Sequence, residues 1–230
     1  MPRLLLVEDD EALAEALYLA LTGLGHHLVV AGTGEAALDL VLGPRHDIDV
    51  VLLDVMLPGI DGFEVCRKIR ANSTLPVILL TARGDPIDVV VGLEGGADDY
   101  VVKPAEPRVI DARIKTILRR ASPSVDRPES AVTIGKLRID PDAMVVKRDG
   151  VELHLTSTEL RLLLEFVAHP GQVLTRQALL KRVWDYGYVG DSRLVDAAVA
   201  RLRAKVEDDP ANPAMLRTVR GLGYRLVKPE

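Results

Sequence analysis

The chain has 230 residues and a mass of 25.0 kDa, room for one large domain or two ordinary ones at roughly 100–200 residues per domain. Apolar residues make up 48 % and charged residues 27 %, which excludes a disordered or fibrous protein, and no run approaches the roughly 18 consecutive apolar residues of a membrane span. The net charge of −5 hides an asymmetry: residues 1–120 hold 12 Lys+Arg against 19 Asp+Glu, a net of −7, and residues 121–230 hold 17 against 15, a net of +2.

Residues 4–7, 50–53 and 77–80 are short continuous apolar runs, as in parallel strands covered on both faces. Residues 27–31 and 100–102 fit two further strands. Between them Ala12, Leu13, Ala16, Leu17, Ala20 and Leu21 recur at helical spacing until Gly23 and Gly25 stop the helix. Similar helical stretches follow at 34–42, 62–70, 85–95 and 107–120. Five βα units joined by short connections predict a doubly wound α/β domain, with a five-stranded parallel sheet, over residues 1–120. Residues 121–130 contain two prolines and three serines with no apolar period, and read as a linker. Over 131–230 the architecture changes to α+β. Segments 132–134, 137–139, 143–147 and 151–155 alternate like a small antiparallel sheet. Thr156 and Glu159 have capping-box spacing, with Leu160, Leu163, Leu164 and Val167 as the buried face of the helix they open. Helices over 176–183 and 192–206 follow. The second of these turns Val195, Val199, Leu202 and Val206 inward and Arg193, Arg201 and Lys205 outward. A hairpin around Gly221 and Gly223 closes the chain. Basic residues crowd into 193–205 and 217–228, and an acidic half joined to locally basic patches suggests two tasks in one chain.

A single cysteine, Cys66, excludes an internal disulfide and reads as a small core residue. The first apolar run is too short for a signal peptide and meets Glu8, Asp9 and Asp10 where a cleavage site would stand. A cytoplasmic protein with no membrane partner is expected.

In doubly wound folds ligands bind outside the carboxyl ends of the strands, and the informative residues fall there. Glu8, Asp9 and Asp10 follow the first strand, Asp54 the third, Thr81 the fourth, and Lys103 with Pro104 the fifth. Converging carboxylates repel: two unit charges about 4 Å apart cost about 4 kcal/mol at an effective dielectric of about 20. A bound Mg²⁺ would turn that cost into attraction and leave positions for phosphate oxygens. Lys103 adds a cation and Thr81 a hydroxyl, the partners a transferring phosphoryl group requires.

The segments Val7-Glu8-Asp9-Asp10, Leu53-Asp54-Val55-Met56-Leu57-Pro58-Gly59-Ile60-Asp61-Gly62, Leu80-Thr81-Ala82 and Ala97-Asp98-Asp99-Tyr100-Val101-Val102-Lys103-Pro104 resemble the receiver domain of two-component response regulators. The second half narrows the resemblance to the OmpR/PhoB family, with a winged-helix effector domain over 131–230. The resemblance implies that Asp54 accepts a phosphoryl group from a sensor histidine kinase. Glu8, Asp9, Asp54 and the Met56 backbone carbonyl would hold Mg²⁺, Lys103 would meet the phosphoryl oxygens, and Thr81 with Tyr100 would form the switch pair. It further implies a homodimer on activation through the face over 85–120, with Asp99 meeting Arg113 and Asp98 meeting Arg120. Where relatives place a third ion pair, this chain has Val89 and Val109, and an apolar contact is expected in its place. Ala105 stands where a phenylalanine is common. In the effector half, the resemblance implies contact with double-stranded promoter DNA. The implied residues are Arg193, Arg201, Arg203 and Lys205 of the third helix and Thr218 and Arg220 of the wing. Ala197, Ala198 and Ala200 lie near the helix's outward face. The loop Asp185, Tyr186, Gly187, Tyr188, Val189, Gly190 matches a segment presented to RNA polymerase, beside Trp184, which reads as core.

The reading is a phosphorylation-controlled DNA-binding transcription regulator rather than an enzyme with an external substrate. Two alternatives remain at this point: a Mg²⁺-dependent phosphohydrolase using an aspartyl nucleophile, and a constitutive DNA-binding protein whose first domain only dimerises.

Overall fold

Strands β1 (Arg3–Val7), β3 (Val50–Asp54) and β4 (Val77–Thr81) are buried almost throughout, because helices cover both faces of the sheet they form. The computed structural model describes residues 1–43, 47–81, 92, 95–118, 131–141, 143–184 and 192–228. The chain divides into two compact units, Met1–Leu118 and Arg119–Glu230. With β2 (His27–Ala31) and β5 (Asp99–Val102) the first unit has a parallel sheet in the order β2-β1-β3-β4-β5. The order reverses at β1, so the crevice of a doubly wound sheet opens beyond the ends of β1 and β3. Among the described residues no helix is long and apolar enough to cross a membrane.

Four helices frame the sheet: α1 (Glu11–Gly23), α2 (Gly34–Leu42), α3 (Gly62–Asn72) and α4 (Pro107–Leu118). The first three begin on side-chain caps. Asp10 accepts from the Leu13 N–H, Thr33 from Ala36 and Asp61 from Glu64. Leu4, Leu6, Leu52, Ile78 and Leu80 meet Leu17, Leu21, Ile110 and Ile114 in one core. Cys66 is fully buried, as expected. Of the helix expected over 85–95 only residues 92 and 95 are described. Val89, Arg120, the linker 121–130 and the loop 185–190 lie outside the described residues.

The second unit opens with an antiparallel sheet of β6 (Val132–Ile134), β7 (Leu137–Asp140), β8 (Val145–Arg148) and β9 (Val151–Glu152), in that order. The last strand is shorter than the 151–155 expected, because Leu155 N–H turns back onto the Leu153 carbonyl. There follow α5 (Ser157–Ala168), β10 (Val173–Thr175), α6 (Arg176–Val183), α7 (Arg193–Val206), β11 (Leu216–Val219) and β12 (Gly223–Leu226). The closing hairpin takes β10 as a third strand, in the order β10-β12-β11, which completes a winged helix. The capping box forms as expected, Thr156 Oγ1 accepting from Glu159 N–H and Glu159 Oε2 from Thr156 N–H. The buried face of α5 is nevertheless Glu159, Leu162, Leu163 and Phe166, one position away from the expected Leu160, Leu163, Leu164 and Val167. The helix is rotated so that Glu159 faces inward, onto two cations described below.

One glycine controls where Asp54 sits. A Cβ on Gly62 would lie 2.1 Å from the Asp54 carbonyl oxygen and 2.8 Å from Val55 Cα, so the start of α3 rests directly on the backbone of β3. Only backbone could give way. Gly62→Ala is expected to cost about 1–3 kcal/mol, read as a lower urea midpoint with an unchanged slope.

Candidate functional site

At the carboxyl ends of β1 and β3, Glu8 and Asp54 are buried and Asp9 is exposed. One carboxylate oxygen from each comes within 4.8 Å of the others. Lys103, half-buried after β5, donates to Glu8 Oε2 at 2.6 Å and lies 3.0 Å from Asp54 Oδ1. The second contact is an ion pair without hydrogen-bond alignment, since Asp54 Oδ1 is buried with no hydrogen-bond partner. Burial, reinforced by the Asp54 charge, holds the Glu8 carboxyl above its ordinary value despite the bond from Lys103. Burial would lower Lys103, but its contacts with Glu8 and Asp54 outweigh it and raise the ammonium above its ordinary value. Among the described residues, three acids against one lysine, with a buried oxygen lacking a donor, form a site short of positive charge. Hard oxygen donors in that number suit a divalent cation such as Mg²⁺. Met56, the fourth residue expected there, follows β3 with an exposed side chain.

Thr81 is buried at the end of β4, and Tyr100 is half-buried in β5. Thr81 pairs with Val102 and Leu79 with Tyr100, so Thr81 and Tyr100 share a face of the sheet. The Lys103 N–H bonds to the Thr81 carbonyl at 2.7 Å, joining the two strand ends at the site.

Asp98, Asp99 and Arg113, expected on the dimer face, have partners within the chain. Asp98 and Asp99 are fully buried in the single chain. Asp98 Oδ2 accepts from Arg70 Nη2 at 3.0 Å and from the Val77 N–H at 3.1 Å. Asp99 Oδ2 meets Arg113 Nη1 of the same chain at 3.4 Å. Arg70 was missed in the sequence because α3 and β5 lie far apart in the chain. Val109 and Val102 are exposed on this face.

In the effector unit the expected DNA-contacting cations of α7 are mostly engaged within the fold. Lys205 Nζ donates to Glu159 Oε2 at 2.7 Å and to the His154 carbonyl at 2.9 Å, while Arg201 Nε lies 3.7 Å from Glu159 Oε1. Residues 201 and 205 flank the apolar stripe Val195, Val199, Leu202 and Val206, all buried as expected, so both reach over its edge to Glu159 rather than outward. Arg203, on the opposite edge, donates to the Leu216 carbonyl at 2.9 and 2.6 Å and to Thr218 Oγ1 at 2.9 Å. Arg193 is half-buried, and Thr218 and Arg220 are exposed. Ala197 and Ala198 are buried, so the exposed alanines of α7 are Ala200 and Ala204. Trp184 is buried, as expected.

A second cluster, absent from the sequence reading, fixes the wing. The Tyr224 hydroxyl donates to Asp196 Oδ1 at 2.6 Å, and Arg176 Nε donates to the same oxygen at 2.7 Å. The guanidiniums of Arg176 and Arg203 lie 5.0 and 5.4 Å from the Tyr224 ring centre, within cation–π range. Tyr224 thus ties β12 to α6 and α7.

With both sites described, the comparisons with known proteins fall into place. The family model "Response regulator receiver domain" matches residues 4–115, and "Transcriptional regulatory protein, C terminal" matches 150–226. The chain is 59 % identical over 230 residues to the transcriptional regulatory protein AfsQ1 of Streptomyces coelicolor, covering 100 % of both chains. It is 48 % identical over 227 residues to the DNA-binding response regulator MtrA of Mycolicibacterium smegmatis, covering 99 % of this chain and 97 % of the relative. The crystal structure of DrrB, an OmpR/PhoB homologue from Thermotoga maritima, aligns over 99 % of each chain with a TM-score of 0.51 and 34 % identity.

The Tyr224 cluster sets a pH limit on the effector unit. Burial, then the hydrogen bond to Asp196, push its hydroxyl from 10.0 up to about 12. A folded value above the unfolded one means the contribution is complete below pH 10.0 and lost as pH rises through about 12. Ultraviolet titration should show one tyrosine ionising near 12 as the unit loses stability. Tyr224→Phe should remove that step and flatten the stability profile over the same window.

Proposed function

The chain belongs to the OmpR/PhoB family of two-component response regulators, and from that premise we propose that phosphorylation of Asp54 governs its action on DNA. It is a DNA-binding response regulator with a receiver domain and a transcription-regulatory C-terminal domain. Response regulators are in general transcription factors rather than enzymes, and a histidine kinase is the partner the receiver implies. The observation that carries the assignment to Asp54 is its buried Oδ1, 3.0 Å from Lys103 Nζ and without a hydrogen bond, at the crevice of the sheet.

A carboxylate oxygen of Asp54 attacks the phosphorus of the kinase's phosphohistidine. The P–O bond forms, the P–N bond breaks, and the imidazole departs and takes up a proton. Carboxylates support such acyl-phosphate intermediates. Glu8, Asp9 and Asp54, with the Met56 carbonyl, would hold Mg²⁺, which supplies positive charge for the phosphoryl oxygens. Lys103, held charged between Glu8 and Asp54, meets the new oxygens, and the Thr81 hydroxyl turns to donate to one of them. Tyr100, on the same face of the sheet, follows Thr81 inward and reshapes the surface of β5 and α4.

That surface forms the homodimer in this reading, with Val109 and Val89 contributing an apolar contact and Arg113 and Arg120 charged groups, while Asp98 and Asp99, fully buried within the chain, hold the start of β5. Paired effector units then engage two promoter half-sites, Arg193 in the major groove and Arg220 and Thr218 in the wing. The other α7 cations, Arg201, Arg203 and Lys205, hold the helix in place. The loop of Asp185, Tyr186, Gly187, Tyr188, Val189 and Gly190 is proposed to meet RNA polymerase, on the strength of the family likeness alone.

Light scattering tests the switch. With Mg²⁺ and a beryllofluoride phosphate mimic, the mass should rise from 25.0 kDa to twice that, and Asp54→Ala should stay at the lower value. Dimerisation should depend weakly on salt, since exposed ion pairs contribute only about 0–1 kcal/mol each, and Val109→Glu should abolish it. An unchanged mass with the mimic would refute the proposal.

Two arginines separate contact from support. Arg220→Ala should lower DNA affinity at all sequences and reduce the salt slope by about 1. Arg203→Ala should instead destabilise the effector unit by about 1–3 kcal/mol, because it leaves the Leu216 carbonyl without its donors. Denaturant unfolding and binding measured across a salt series distinguish them.

A further inference from the structure

Glu159 caps α5 and is fully buried, yet the cap does not need its charge. Oε2 accepts from the Thr156 N–H at 2.9 Å, and the oxygen of a neutral amide serves a capping box equally well. The charge acts on α7. Lys205 Nζ lies 2.7 Å from the same Oε2. Arg201 Nε, at 3.7 Å from Oε1, is beyond hydrogen-bond distance, and Oε1 is buried with no hydrogen-bond partner among the described residues. Lys205 is therefore the cation that the buried carboxylate grips. Its other bond there, to the His154 carbonyl at 2.9 Å, is to a neutral acceptor and holds an ammonium less firmly than a carboxylate does.

Lys205 stands close to open water. Its side chain is 31 % exposed and lies in the last turn of α7, on a flexible four-carbon stem that can carry the ammonium elsewhere. In a winged helix this helix is the one offered to the major groove. Phosphate and Glu159 thus compete for one charge. Each phosphate neutralised adds about 0.9 to the salt slope of binding, and a lysine held by an internal acid neutralises none. Burial strengthens the internal side of that competition, because little solvent or salt screens the pair. We propose that Glu159 restrains DNA binding from inside the fold by holding Lys205 away from phosphate. The proposal rests on the DNA-binding reading of the second unit and adds to it a positioning residue that acts only through another side chain. Its sign is opposite to that of an anchor: losing an anchor of α7 weakens binding, whereas losing a restraint strengthens it.

Glu159→Gln keeps the shape and the capping oxygen and removes the charge. Binding of the full-length protein to a random-sequence duplex, followed across a salt series, should tighten, with a slope steeper by about 1. The gain over the native protein should grow about three- to fourfold as salt falls from about 200 to about 50 mM. Adding Lys205→Gln to that variant should return the slope to the native value. An unchanged slope in Glu159→Gln would overturn the proposal, as would weaker binding, the result expected of an anchor. A slope that stays steep in the double variant would overturn the assignment to Lys205. Should Glu159→Gln fail to fold, Lys205→Gln alone decides: an unaltered slope supports the restraint, and a slope lower by about 1 means that Lys205 already meets phosphate and overturns it. A native protein that binds no duplex would overturn the DNA-binding reading itself.

Discussion

One lysine bears the electrostatic burden of the receiver. Glu8 and Asp54 are brought within reach of each other at the ends of neighbouring buried strands, where solvent screens them poorly, and Lys103 is the cation that touches both. The neighbouring architecture keeps that contact in place. The Lys103 N–H is tied to the Thr81 carbonyl, β5 is anchored at its start by Asp98 and Arg70, and α3 rests on the backbone of Asp54 through Gly62. A cation shared by two acids can be redirected to a new anion with little rearrangement. The same contact therefore serves the resting fold and the proposed phosphoryl transfer.

The effector unit uses its charges differently. Glu159, fully buried, gathers Lys205 and Arg201 from α7. Tyr224 gathers Arg176 and Arg203 around its ring while its hydroxyl binds Asp196. Each cluster joins elements that are distant in the chain: the first sets α7 against α5, the second sets the wing against α6 and α7. The angle between α7 and the wing is thus fixed by hydrogen bonds and cation–π contacts as well as by apolar packing. Each cation held this way has less to offer a phosphate.

The strand positions, the positions of the described helices and the acid cluster were legible because each depends on local pattern or on a position at a strand end. The apolar runs 4–7, 50–53 and 77–80 could form little but buried parallel strands, and Glu8, Asp54, Thr81 and Lys103 follow directly from where strands stop. The α7 cations were not legible in the same way. Period alone puts residues 201 and 205 beside the apolar stripe, but only the rotation of α5, set by its capping box, shows that Glu159 waits there. Strand β10 escaped because three residues carry no usable alternation and its existence depends on β12, about fifty residues later. The pairing of Asp98 with Arg70 depends likewise on a contact between distant elements.

These two halves make opposite demands that fit each other. The effector residues carry a net charge of only +2, and most cations of α7 are held internally, while Ala200 and Ala204 are the alanines it exposes. Methyl groups can meet a thymine methyl or follow the shape of a groove, but they neutralise no phosphate. Because the electrostatic part of DNA affinity scales with phosphates neutralised, in the proposed reading one such unit alone holds DNA weakly. Two linked units bind far more tightly without any new contact, since the first raises the effective concentration of the second. A weak effector unit is therefore the one that a dimerising receiver can control most fully, and a strongly basic one would escape that control by binding as a monomer. In the proposed reading, the shortage of free cations on α7 is what gives the carboxylates at the ends of β1 and β3 their authority over DNA.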